Sequence, residues 1–315
     1  MIDVDAVSLA AWAATLALNA GLALLIGAIA SLIWSYRYQS VWSSVMRSQC
    51  SEYVRLGTVV VILASLLDLW SRSANAAGVL LGDAWSPVQS MLASSHYGRV
   101  WLVGMVVLLG SIATSLVGLE RQGRRQFVRL GVIALAIAIF AWTRSLESHA
   151  SADGDLSVSV VIEWIHLMLI ALWVGIVFVA SAMKFSQVSL VANEQLDVVA
   201  WISALSRAAT IAVVGIVVTG VFNTWRATGG KLGELPGSTY GGILFMKLFF
   251  VFASICLGAH NRYRAMPSLL NTLRAGKVEV RTFREFTTVA RIEAFTLAVA
   301  LASAAVLSST EPSAS

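Results

Sequence analysis

Eight unbroken apolar runs of about twenty residues constrain this chain more than any other feature. A run of that length matches the thickness of a bilayer's hydrocarbon core when wound as an α-helix. In hydrocarbon every backbone polar group needs an internal partner, which leaves only helices or a closed barrel. Barrel strands alternate polar and apolar residues, and these runs do not. Composition agrees: 58% of the 315 residues are hydrophobic and only 12% are charged, about half the charge of an ordinary soluble domain. The fold class expected is therefore an all-α, polytopic membrane bundle.

The windows place spans near Leu9 to Trp34, Val54 to Asn75, Tyr97 to Leu119, Phe127 to Arg144, Val158 to Met183, Leu205 to Trp225, Gly241 to His260 and Ala290 to Leu307. The acidic start Met1-Ile2-Asp3-Val4-Asp5 is unlike the basic opening of a cleavable signal, so the first run reads as a retained span. With the N-terminus outside, sixteen of the 22 Lys and Arg fall on the cytoplasmic side. That bias predicts both termini on the side away from the cytoplasm. The net charge of +5 thus reports topology and not nucleic-acid binding. The basic and apolar stretch Met266 to Thr288 reads as a helix lying on the membrane surface or as a solvated loop. Cys50 and Cys256 stand far apart, with no CxxC pair, and read as small apolar filler.

Two landmarks recur in order. Ser95-His96-Tyr97-Gly98-Arg99 is echoed by Ser238-Thr239-Tyr240-Gly241-Gly242, and Arg55-Leu56-Gly57-Thr58 by Arg207-Ala208-Ala209-Thr210. Four spans per copy keep the two halves in the same orientation, a 4+4 parallel repeat. Residues 1–150 form the N-terminal half and 151–315 the C-terminal half.

Ionisable groups inside spans are costly and mark function by default. Glu163 and His166 lie one turn apart on the fifth span, on a face that Ile170 and Trp173 continue. A carboxylate and an imidazole so spaced can share one metal ion, as in helical Glu-x-x-His sites, or can simply bond to each other. His149 precedes that helix and His96 opens the third span, so three of the four histidines converge on the outer side. With Met105, Met168 and Met246 in the outer halves of their helices, the donor set suits copper better than Mg²⁺ or Ca²⁺. Met168, two residues from His166, points to the opposite face. Asp68, paired with Arg72 four residues on, and Asn223 beside Arg226 either line a cavity along with Trp173 and Met246 or glue helices together. Phosphate loops, dinucleotide turns and nucleophile elbows are missing, so neither an ATP-driven pump nor an enzyme is expected.

With these residues in view, the second half resembles the CopD family of bacterial copper-resistance membrane proteins. The likeness rests on Ser148-His149-Ala150, on His166 followed by Trp173-Val174-Gly175, on Thr239-Tyr240-Gly241 with Lys247, and on Asn261-Arg262 with Pro267. These run in order over about residues 145–270. One departure is Ile176, where the family often has a second glycine, which puts close helix packing there in question. The resemblance implies copper transport across the bacterial inner membrane, usually uptake from periplasm to cytoplasm, beside a periplasmic partner of the CopC type. It also implies His149 and His166 as copper ligands, with Glu163 and His96 less strongly marked. Two other readings stay open: a transmembrane haem b electron carrier, for which only His166 is clearly inside a span, and a membrane partner that delivers or senses copper without transporting it.

Overall fold

The computed structural model describes residues 5–115, 123–148, 154–183, 192–230, 236–277 and 279–310. Among these it is helical throughout, with no strand. The main helices are α1 (Ala6–Ser35), α2 (Val41–Ala77), α3 (Trp85–Ser94), α4 (His96–Ser115), α5 (Arg124–Leu146), α6 (Val158–Ala182), α7 (Ala192–Ala227), α8 (Thr239–His260), α9 (Met266–Arg274) and α10 (Val280–Leu307).

Seven of these are long and apolar enough to cross a membrane. The bent pair α3 and α4, which meet at 88°, makes an eighth if counted as one span. The bend falls at Ser95, whose extended backbone ends α3 and whose hydroxyl accepts from the Gly98 amide at 2.8 Å to start α4. Ser238 starts α8 in the same way, accepting from the Gly241 amide at 2.9 Å. Each hydroxyl satisfies one of the amides that a helix start leaves without an intrahelical partner.

The start of α1 and the end of α10 meet on one face of the bundle, where Trp12 Nε1 donates to Ser309 Oγ at 2.6 Å. We call this the terminal face; α6 and α8 also start there. At the opposite face α2 and α7 run well past the apolar windows, α2 beginning at Val41 and α7 at Ala192. A hydropathy window ends where polar residues begin, although the helix does not. The two extensions pack together: Trp42 and Trp201 stand edge to face at 6.1 Å, and the Trp42 amide donates to buried Glu194. Arg47 closes the α1–α2 turn by donating to Ser35 O, Tyr38 O and Ser43 Oγ at 3.1–3.2 Å.

The stretch read as one surface helix or a loop is instead divided. A single π-helical turn, Asn261–Ala265, leads from α8 into α9. α9 buries Leu269, Leu270 and Leu273 against protein, and Phe283 and Phe286 belong to the buried side of α10.

α1 and α6 form the centre. α1 packs on α2, α6 and α10, while α6 packs on α7, α1, α10 and α5. The α1–α6 contact is backbone against backbone at Gly27 and Gly175. A methyl group on Gly175 would overlap the Ala23 carbonyl, and one on Gly27 would overlap the Gly175 backbone. Close packing therefore holds at Trp173-Val174-Gly175 although Ile176 follows; its side chain is fully buried in the core. Small residues at such crossings bring helices close enough for dispersion to hold them where no hydrophobic effect operates. Val214, Val217, Val218 and Val221 of α7 and Phe245, Phe249 and Phe252 of α8 remain exposed. Exposed apolar side chains on seven spans are what a lipid solvent requires, and the chain is a multi-pass membrane protein.

Candidate functional site

Two polar clusters lie within the bundle near the terminal face. The first joins α6 to α7. His166 Nδ1 lies 2.7 Å from Thr219 Oγ1. The Thr219 hydroxyl hydrogen is directed at the Gly215 carbonyl, 2.6 Å away, so its oxygen accepts from His166 Nδ1–H. That fixes the tautomer and leaves the Nε2 lone pair available to a metal ion. Gly220 gives the ring room, since a Cβ there would stand 3.3 Å from His166 Cε1. One turn nearer the terminal face, Asn223 Nδ2 donates to Glu163 Oε2 at 2.7 Å. Glu163 and His166 thus share a face but do not bond to each other; each is oriented by α7. Lys247 of α8 acts electrostatically on both, and Arg226 of α7 acts on Glu163.

The second cluster centres on Asp68 of α2, a buried carboxylate. It accepts from Arg72 Nε at 2.9 Å, from the Tyr97 hydroxyl at 3.1 Å and from Arg144 Nη1 at 3.1 Å. Arg144 also donates to Glu147 Oε2 at 2.9 Å. α2, α4 and α5 are thereby tied through one carboxylate. Glu147, just past the end of α5, has its carboxyl pushed above the usual carboxylate range by burial, which outweighs the pull of the Arg144 guanidinium.

The remaining candidates are dispersed. His96 is exposed at the start of α4, where its Nε2 lies 3.3 Å from Asp155 Oδ1, tying α4 to the segment that leads into α6. His149 lies outside the described residues. Met246 lies on the exposed side of α8, 49% accessible. Trp173 is buried on the Glu163–His166 face of α6 and donates through Nε1 to Glu293 of α10 at 3.3 Å. Among the described residues, no group of three His, Cys, Asp or Glu side chains converges on one point.

Sequence reasoning missed Glu293. Starting the eighth span at Ala290 put this acid in a first turn, at headgroup depth. α10 starts at Val280 instead, and Glu293 is 4% exposed. The available signal was an acid followed by an apolar run without a loop residue before it. The reach of Arg144 to Asp68, 76 residues away in the chain, left no local trace at all.

Fold and clusters together define a polytopic helical membrane protein with titratable groups held inside its bundle. Two family models match the chain: one described as "Copper resistance protein D-like, N-terminal domain" over residues 1–158, and one described as "Copper resistance protein D" over residues 199–307. A curated relative, the copper resistance protein D of Pseudomonas syringae pv. tomato, is 24% identical over 199 residues, 62% of this chain and 62% of the relative. The chain belongs to the copper resistance protein D family. Glu163 and His166 fall between the two matched stretches, and Lys247 and Glu293 within the second.

Proposed function

We propose that this protein carries copper across the bacterial inner membrane, from the periplasm to the cytoplasm, and so contributes to copper homeostasis and resistance. The observation that carries this reading is the His166 geometry. An imidazole inside a span has Nδ1–H committed to Thr219 and Nε2 left as a donor, with the Glu163 carboxylate one turn away. Imidazole nitrogen suits copper, and a second-shell bond of this kind raises ligand basicity.

In this reading the terminal face is periplasmic, in line with the positive-inside bias. Copper arrives at His166 and Glu163. His149, seventeen residues earlier in the chain, and His96, tied to Asp155, complete the entry site. The ion then moves along the seam between two four-helix halves. The matched serine caps of α4 and α8, and the packing of α1 on α10 and of α6 on α5, support the 4+4 reading. A periplasmic donor of the CopC type fits this arrangement, because the entry site faces that compartment.

The test is copper accumulation and tolerance in cells making wild type or the double variant His149→Ala, His166→Ala at matched levels. The double variant is expected to lower accumulation at least tenfold; unchanged accumulation and tolerance would end the proposal. A topology reporter placing position 149 in the cytoplasm would end it as well.

A further inference from the structure

Glu293 of α10 is a buried acid of the second half, 4% exposed. It lies thirteen residues beyond the start of α10 at Val280 and sits level with Gly258, two residues before the end of α8. Among the described residues no cation stands within ion-pair distance of it. Among the described residues, its one side-chain hydrogen bond comes from Trp173 Nε1. Both carboxyl oxygens rest against Gly258 of α8: a Cβ on that glycine would lie 3.0 Å from Oε1 and 3.7 Å from Oε2. The carboxyl therefore occupies a recess that exists because residue 258 lacks a side chain.

The recess is the far end of a polar line. On α6, Glu163, His166, Ile170 and Trp173 share a face. Seven residues, or about 10 Å of helix, separate His166 from Trp173. On α8, Lys247, Ser254 and Gly258 share a face, and fully buried Ser254 bonds the Thr296 hydroxyl at 2.7 Å. Thr296 is one turn from Glu293. The titratable groups on the surrounding elements are few. α1 has none between Ala6 and Ser35. α6 has only Glu163 and His166. On α8, Tyr240 and Lys247 lie toward the terminal face, while Cys256 and His260 are exposed. On the π-helical turn Arg262 donates to Ser206 and Thr210 of α7, while Tyr263 and Arg264 of that turn and Arg274 of α9 are exposed. On α10 itself, Arg291 is turned to the Ser181 carbonyl at 3.2 Å.

We propose that Glu293 is the proton-exchange group of the transport cycle, holding a proton when no copper is near and giving it up as copper passes. An isolated carboxylate with one neutral donor is too costly to persist in this setting. As a copper ion comes to this level, the O–H bond of the carboxyl breaks, the proton leaves to water on the side from which copper entered, and the carboxylate charge is balanced by the metal. Departure of the ion to the other side reverses the step, with a proton taken up from water on that side. No electron is transferred. The inference rests on the transport reading above and adds to it the coupling ion.

The test uses the full chain in proteoliposomes, with copper added outside and an internal pH dye. Wild type should move copper with an opposing proton flux. Glu293→Gln keeps the size and the Trp173 acceptor; it should bind copper as wild type does but lose at least tenfold in flux, together with the pH response. Gly258→Ala, which crowds the carboxyl without altering a titratable group, should also slow transport. Glu293→Gln moving copper with the wild-type pH profile would overturn the inference. If wild type moves no copper, the transport reading fails, and infrared difference spectra decide this one separately. A protonated-carboxyl C=O band that is lost in Glu293→Gln and changes on copper addition supports it, and a band indifferent to copper overturns it.

Discussion

The two polar clusters lie near the same face and invest charge in opposite ways. Around Asp68 every charge is answered: one carboxylate accepts from two guanidinium groups and a phenol, and Arg144 reaches a second carboxylate. Around His166 the partners are neutral, a threonine and an asparagine, and the nearby cations form no ion pair with Glu163 within 4 Å among the described residues. A fully paired network gains nothing by binding a passing ion and serves to join helices. Groups oriented by neutral donors keep lone pairs and charge for a ligand. In the proposed reading, the first half's cluster serves structure and the second's serves chemistry.

Removing a partner from each cluster should separate the two roles. Asp68→Ala leaves Arg144 buried beside a single acid and Tyr97 without its acceptor, and should cost about 3 kcal/mol or more. Unfolding of the purified protein in detergent would measure this, with copper binding per folded molecule unchanged. A loss of copper binding without a loss of stability would reverse the assignment.

His166→Ala should do the converse. Thr219 keeps its bond to Gly215, so stability should change by about 1 kcal/mol or less, while copper bound per molecule falls at least tenfold. Metal analysis beside a melting curve checks both at once.

The smallest effect is expected at Glu147. Its carboxyl is held above the usual range in the folded protein, so folding is favoured while it is protonated. That contribution is present below the ordinary carboxylate range and is lost as pH rises through the folded-state value. Glu147→Gln should flatten the acid side of the stability-against-pH curve without shifting copper binding. A curve unchanged by the substitution would mean that Arg144 fully offsets the burial.

How much was legible in the sequence differs between spans and contacts. Seven of the eight expected spans match helices long and apolar enough to cross a membrane, because hydropathy is a property of consecutive residues, and the Glu163, His166 and Trp173 face followed from helical period. Helix ends were not legible: α2, α7 and α10 begin ten or more residues before their apolar windows, because a helix continues into polar sequence once a neighbour such as Trp201 against Trp42 supports it. Met246 was a lesser candidate than His166 in the sequence, and packing turned it outward.

By itself the sequence determined that the chain is a helical membrane bundle and which α6 side chains share a face. These follow from the cost of exposing backbone to lipid and from 3.6 residues per turn, both of which act within one segment. The tertiary structure alone decided that Glu163 and His166 turn to α7 instead of each other, that Arg144 completes Asp68, and that Glu293 meets Trp173 inside a glycine recess. Such pairings depend on which helix faces meet, and close contacts such as Gly27 on Gly175 set that through three-dimensional packing that no local pattern encodes.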